Sequence, residues 1–224
     1  MKKLILTLAI IGSFLTQDTH ARSLKKVKRT GITFGVRKGM APFGIQKSKD
    51  RKGIEYEIAA AISKQLDTRF RLIYLNTIKE GEEKLLTNKI DVLLSTYRKS
   101  KRNQKKFIFT KSYGKSGKSI LTRKSNKDIF SIRDLDNRYV AVTAESGSQQ
   151  LLEKYVKKAK VELTRSYDNA LEMLKAGDVE AIMGERIFLQ ELAKKNGQLQ
   201  VLDLELSNDS YHMAINSNYK KLLK

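Results

Sequence analysis

The sequence has 224 residues, with 45 lysines and arginines against 24 aspartates and glutamates, a formal charge of +21. Its 40% hydrophobic content suffices for a core, so the charge belongs to a folding chain and not to a disordered polybasic tail. The absence of cysteine excludes disulfides, thiol catalysis, cysteine zinc sites and lipid attachment at an N-terminal cysteine, while two histidines leave little for a histidine metal cluster and one proline excludes proline-rich architecture.

Residues 1–21 have the composition of a secretory signal: Lys2 and Lys3, an apolar run from Leu4 to Leu15, then Thr19-His20-Ala21 as a small-x-small cleavage site. The run is shorter than the roughly 20 residues a spanning helix needs, so cleavage is expected. The segment carries one unit of the +21, so the basic excess belongs to the exported chain. Such an excess suits anionic partners without naming one.

Downstream, strands and helices alternate. Ile32, Phe34 and Val36 alternate as a strand, and Ile54, Ile58, Ala61, Ile62 and Leu66 share one helical face. Phe70 to Leu75 is strand-like. Thr77 caps a helix through Leu86, Asn88 supplies a left-handed C-terminal residue, and Val92 to Leu94 forms a buried strand. The stretch from Thr110 to Asp128 breaks the pattern, holding one apolar strand, Ser119 to Thr122, between glycine- and lysine-rich segments. A second series follows: strand Tyr139 to Thr143, helix Gly147 to Lys158, strand Val161 to Thr164, a helix capped by Asp168, strand Val179 to Met183, helix Arg186 to Asn196 closed by Gly197, and strand Leu199 to Leu204. Serial alternation predicts α/β layers around mostly parallel sheets, in two lobes that meet near the irregular stretch.

Gly35-Val36 with Ala41-Pro42-Phe43-Gly44, Gly53 to Ala59, and Lys89 to Arg98 stand in an order that resembles the bacterial extracellular solute-binding proteins of family 3. Phe109 to Tyr113, Asp134-Leu135, Ser146-Gly147-Ser148 and Ala170-Leu171 with Gly177-Asp178 and Ala181 extend the resemblance from about Lys25 to Ser217. Gly53 to Ile58 and the Tyr97-Arg98 pair also resemble the solute-binding-like domain of membrane-bound lytic transglycosylase F, without its muramidase-type domain. The resemblance implies a two-lobed periplasmic binding protein fold of type II with a ligand cleft between lobes. Its crossings would fall just after Tyr113 and near Ser207, giving a signal peptide at 1–21, a first lobe at 22–113, a second at 114–207 and a return at 208–224. The chain stops at Leu222-Leu223-Lys224, inside an amphipathic helix that relatives continue, so the member is either short or truncated.

For the site, the resemblance implies a zwitterion trap. An α-carboxylate is matched by a two-pronged guanidinium and by N–H groups at a helix start. Arg102 is favoured for the first part, with Arg98 beside it and Asn103 the alternative in an ungapped count. Gly147, Ser148 and Gln149 would form the helix start. Glu185 would take the α-ammonium, Ser95 and Thr96 would reach the ligand from the first lobe, and Phe43 would line the wall. Each residue also has a plainer reading. Lys99 to Lys106 is a basic run of the kind that usually faces water, Glu185 could equally be a first-turn acid, Gly147-Ser148 a simple helix entry, and Phe43 a core residue. Met40 and Arg37, where relatives carry an aromatic and an acid, point to a ligand other than a plain basic amino acid, acidic or peptide-like.

The implied function is capture of a small polar solute, an amino acid or related zwitterion, for an ABC-transporter permease. The protein would be a periplasmic monomer that uses no cofactor or metal, is no enzyme, binds no nucleic acid and does not insert stably in the membrane. The alternative is an orphan periplasmic sensor or cell-wall-associated regulatory protein of the same fold. A basic nucleic-acid binder is favoured by charge alone and lacks a stacking platform or groove-reading helix. Nor does Glu82-Glu83 form a facing hydrolytic dyad.

Overall fold

The computed structural model describes residues 22–44, 53–144 and 146–217. The expected signal peptide at 1–21 and the chain end at Leu222 to Lys224 lie outside the described residues. A short helix α1 (Leu24–Thr30), capped by the Ser23 hydroxyl, precedes strand β1 (Ile32–Arg37). Helix α2 (Ile54–Gln65), β2 (Phe70–Leu75), α3 (Ile78–Leu86) and β3 (Val92–Arg98) follow. Thr77 caps α3 by accepting from the Glu80 N–H, and Asn88 takes φ 55°, as the sequence predicts.

The chain then forms the long β4 (Phe107–Ser116) and, after Gly117, β5 (Lys118–Arg123). The second series is β6 (Tyr139–Thr143), α4 (Ser148–Tyr155), β7 (Lys160–Thr164), α5 (Tyr167–Ala176), β8 (Ala181–Glu185), α6 (Arg186–Lys195) and β9 (Leu199–Val201). A final strand, β10 (Asp209–Asn216), returns to the first sheet.

The two sheets share one plan. The first runs β2-β1-β3-β10-β4 and the second β7-β6-β8-β5-β9. In each, three strands joined through helices are parallel, and the last two pairings are antiparallel. The sheets are therefore mixed, not mostly parallel. A β-α crossover returns the chain to the same end of the sheet, whereas the two segments that cross between lobes arrive from the opposite end.

Both faces of each sheet are covered at its centre, so the central strands β1, β3, β6 and β8 are largely buried on both sides. In β3, Val92 and Leu94 pack with Phe34 and Ala59 beneath α2, while Leu93 and Tyr97 pack with Leu75 and Leu85 beneath α3. In the second sheet Ala141 and Ile182 face α5 and α6 through Leu171 and Phe188; Val140, Val142 and Met183 face α4 through Leu152.

Several expected elements change at their edges. The Gly147 helix stops at Tyr155 because Val156 turns extended (φ −135°) and is buried in the second core. Ser166, not Asp168, caps α5, its hydroxyl accepting from the Asn169 N–H; Asp168 sits in the first turn. β8 is displaced to Ala181–Glu185, because Val179 is still held by the end of α5 through the Met173 carbonyl. α6 is capped by Asn196, and β9 ends at Val201. Thr110 to Ser116 is strand, where a glycine- and lysine-rich connection was expected.

Candidate functional site

A cleft of about 1330 Å³ separates the lobes. The first lobe lines it from the ends of β1 and β3, including Arg37, Met40, Thr96, Arg98 and Arg102; the second from the ends of β6, β7 and β8, including Thr143, Ser146, Arg165, Tyr167 and Glu185. Both lobes thus present the carboxyl ends of parallel strands, the position at which open α/β sheets bind ligands.

Thr96 stands at the bend in β3. Its φ of 45° turns the backbone N–H back into the lobe, where it donates to Glu55 Oε1 (2.7 Å) and approaches the Tyr113 hydroxyl (2.8 Å). Tyr113 also donates to Glu55 Oε1 at 2.8 Å. Glu55 is buried, and that burial raises its carboxyl to about 8 against the lowering effect of the Tyr113 and Thr96 bonds and the Arg37 charge. Thr96 itself reaches the cleft. Ser95, one residue earlier, is fully buried and does not line it.

Arg98 crosses the gap. A Cβ added to Gly147 would lie 2.9 Å from both terminal guanidinium nitrogens of Arg98, so the two touch across the cleft. Gly147 takes φ 72° and caps α4. The next residue, Ser148, donates its N–H to the Ser146 hydroxyl (3.2 Å), and its own buried Oγ has no hydrogen-bond partner among the described residues. Helix starts leave N–H groups available to an anion. Gln149 lies within this first turn but outside the cleft lining, and its side-chain amide donates to Glu153 (2.8 Å).

Arg102 is exposed and lines the rim. Asn103 is buried and structural: its amide donates to the Arg98 carbonyl (2.8 Å), and its Oδ1 accepts from the Ser100 N–H (2.7 Å). That pair of bonds holds the loop from which Arg98 and Arg102 project.

Behind the cleft, Glu185 closes a buried network. Its Oε2 accepts from the Tyr167 hydroxyl (2.7 Å), its own N–H donates to that hydroxyl oxygen (3.0 Å), and its Oε1 lies 3.1 Å from Lys118 Nζ. Burial, then the Glu185 charge, raises the Tyr167 phenol well above its ordinary value. Lys118 also reaches Asp209 Oδ2 (2.7 Å), which accepts from the Ser207 hydroxyl as well (2.9 Å). Burial would raise Asp209, but the bond and charge of Lys118, aided by Arg98, hold it below the ordinary carboxylate range.

Phe43 is buried in an aromatic cluster that bridges the lobes, edge-on to Tyr113, Tyr211 and the second lobe's Phe188. The structure thus gathers Thr96, Arg98, Arg102 and Glu185 on the cleft, with Gly147 against Arg98, and places Ser95, Ser148, Gln149 and Phe43 off its surface. Sequence reading missed Glu55, Lys118, Tyr167 and Asp209. Among the described residues no group of three or more His, Asp or Glu is arranged to hold a metal ion.

Comparison with known proteins agrees with this architecture. Residues 32–187 match the bacterial extracellular solute-binding proteins, family 3. The glutamine-binding protein of Geobacillus stearothermophilus is 27% identical over 208 residues, covering 90% of this chain and 79% of that protein. The L-cystine-binding protein TcyJ of Escherichia coli K12 is 29% identical over 209 residues, covering 90% and 77%. Among solved structures, the arginine-bound form of truncated ArgBP from T. maritima superposes with a TM-score of 0.80 at 24% identity, covering 89% of this chain and 94% of that one. With its two lobes, its shared sheet plan and a family match over most of its length, the chain belongs to the bacterial extracellular solute-binding proteins of family 3.

Proposed function

We propose that the cleft captures a small amino-acid-like solute by its carboxylate and that the protein presents it to an ABC-transporter permease outside the cytoplasmic membrane. One observation carries the reading: the guanidinium of Arg98, from the first lobe, meets the α4 start at Gly147 in the second. A carboxylate seated there receives guanidinium N–H from Arg98, whose Nη1 also stands 3.4 Å from Asp209 Oδ1, together with the helix-start N–H groups. Ligand contact to both lobes favours the closed form over the open one. Relatives named for glutamine and cystine support the ligand class.

Arg98 is the principal grip in this reading and Arg102 a rim charge that steers the anion. Thr96 contacts the ligand from the first lobe. Cleavage after Ala21 would release the chain to the periplasm.

The test is a thermal-shift and calorimetric panel of the twenty amino acids on the purified chain. A ligand that binds the folded state raises the melting temperature. At least one amino acid should do so, and co-purification with a permease subunit should follow. Silence across the whole panel overturns the reading.

A further inference from the structure

Lys118 and Glu185 are direct cross-strand partners in the antiparallel pair β5–β8. The Lys118 side chain is 1% exposed, and its ammonium lies between Glu185 (3.1 Å) and Asp209 (2.7 Å), the two acids in the depth of the cleft. All four carboxylate oxygens have donors. Lys118 serves Glu185 Oε1 and Asp209 Oδ2, Tyr167 serves Glu185 Oε2, and Arg98 Nη1 stands 3.4 Å from Asp209 Oδ1. Two acids therefore meet two cations, and the charge at the cleft floor is already balanced.

A ligand amine brought to these acids would have to break a buried, hydrogen-bonded pair, which is costly because it strands a charge away from water. The rest of the wall is cationic on balance: Arg37, Lys38, Lys79, Lys99, Arg102, Lys106 and Arg165 line it against Glu82, Glu83 and Asp168. The Nε of Arg37 is buried without a hydrogen-bond partner among the described residues. Cations near an enclosed cleft concentrate anions there.

We infer that Lys118 determines specificity: it supplies from within the fold the positive charge that a ligand's amine would otherwise bring, so the cleft selects a dicarboxylate and is indifferent to its amine. The inference rests on the reading of the cleft as a carboxylate-gripping solute site. An acidic amino acid and the oxo acid of the same carbon skeleton are then equivalent ligands.

The probes are L-glutamate, 2-oxoglutarate and L-arginine, titrated calorimetrically into the full chain at fixed ionic strength. L-glutamate and 2-oxoglutarate should bind within about tenfold of each other, and L-arginine at least about tenfold more weakly than either. If 2-oxoglutarate is more than about tenfold weaker than L-glutamate, or L-arginine is the tightest probe, the role of Lys118 is overturned while the solute-site reading stands. If no probe binds but another amino acid does, the inference again fails alone. If no amino acid binds at all, both fail. In Lys118→Met the uncovered Glu185 should make the amine matter, so that L-glutamate exceeds 2-oxoglutarate by more than about tenfold; an unchanged ratio overturns the inference. The wild-type comparison decides the matter on its own where that variant does not fold.

Discussion

Glu55, on the second residue of α2, accepts the backbone N–H of Thr96 at 2.7 Å, so a buried acid in the body of the first lobe holds the residue that bends toward the cleft. Burial raises Glu55 from 4.5 to about 8. Between those values the folded chain binds a proton that the unfolded chain has released, and stability falls as pH rises. Below 4.5 both states are protonated and above about 8 neither is, so the dependence is confined to that interval. Glu55→Gln should remove this component, on the order of a few kcal/mol. Denaturant titrations at the two ends of the interval check it, and equal pH dependence in both chains refutes it.

Arg98 and Arg102 should separate by substitution. Arg98→Ala removes the guanidinium that faces Gly147 and should weaken binding of whichever amino acid the panel identifies by about 10- to 100-fold. Arg102→Ala removes an exposed rim charge and should cost no more than about threefold, chiefly in association rate. Titration of both variants with the same ligand decides between them, and the reverse order would move the grip to Arg102.

Gly147→Ala tests the contact from the other side. The backbone there has φ 72°, and the added Cβ would meet both Arg98 nitrogens at 2.9 Å. The left-handed conformation alone costs about 1–2 kcal/mol for a non-glycine residue. Thermal melting should show that loss, and calorimetry should show weakened ligand binding beyond it. Full affinity in the variant would place the carboxylate elsewhere.

Phe43→Ala should act on stability. The ring fills a fully packed position between lobes against Phe188 and Tyr211, and truncating such a ring costs about 3–5 kcal/mol. Chemical denaturation measures the loss; a cost below about 1 kcal/mol would show that the cluster collapses around the gap.

Much of the architecture was legible because strand and helix periodicities are local. Ile32-Phe34-Val36, the Thr77 cap and the Asn88 turn each announce themselves within a few residues. β4 does not: from Thr110 to Ser116 it is polar and half exposed, so it lacks the apolar alternation that marks a strand, and its existence depends on pairing with β10. The antiparallel pairings in each sheet were hidden for another reason: which distant strands pair, and in which direction, leaves no local pattern in the sequence. In the site, Arg98, Gly147 and Glu185 stood at recognisable strand ends and helix starts. Lys118 looked like one more surface lysine in a basic chain, because its partners are 67 and 91 residues away and only sheet register brings them together.

Lys118 opens the strand that follows the first passage between lobes, and Asp209 opens the strand that follows the second. Their ion pair, with Asp209 also registered opposite Ser116, fastens the two connecting straps side by side. Straps fastened along their length flex together like a single leaf spring and resist twisting past each other. A rotation of one lobe on the other would have to carry both straps together, and Arg98 with Gly147 lies on the side of the cleft that such a rotation opens or shuts.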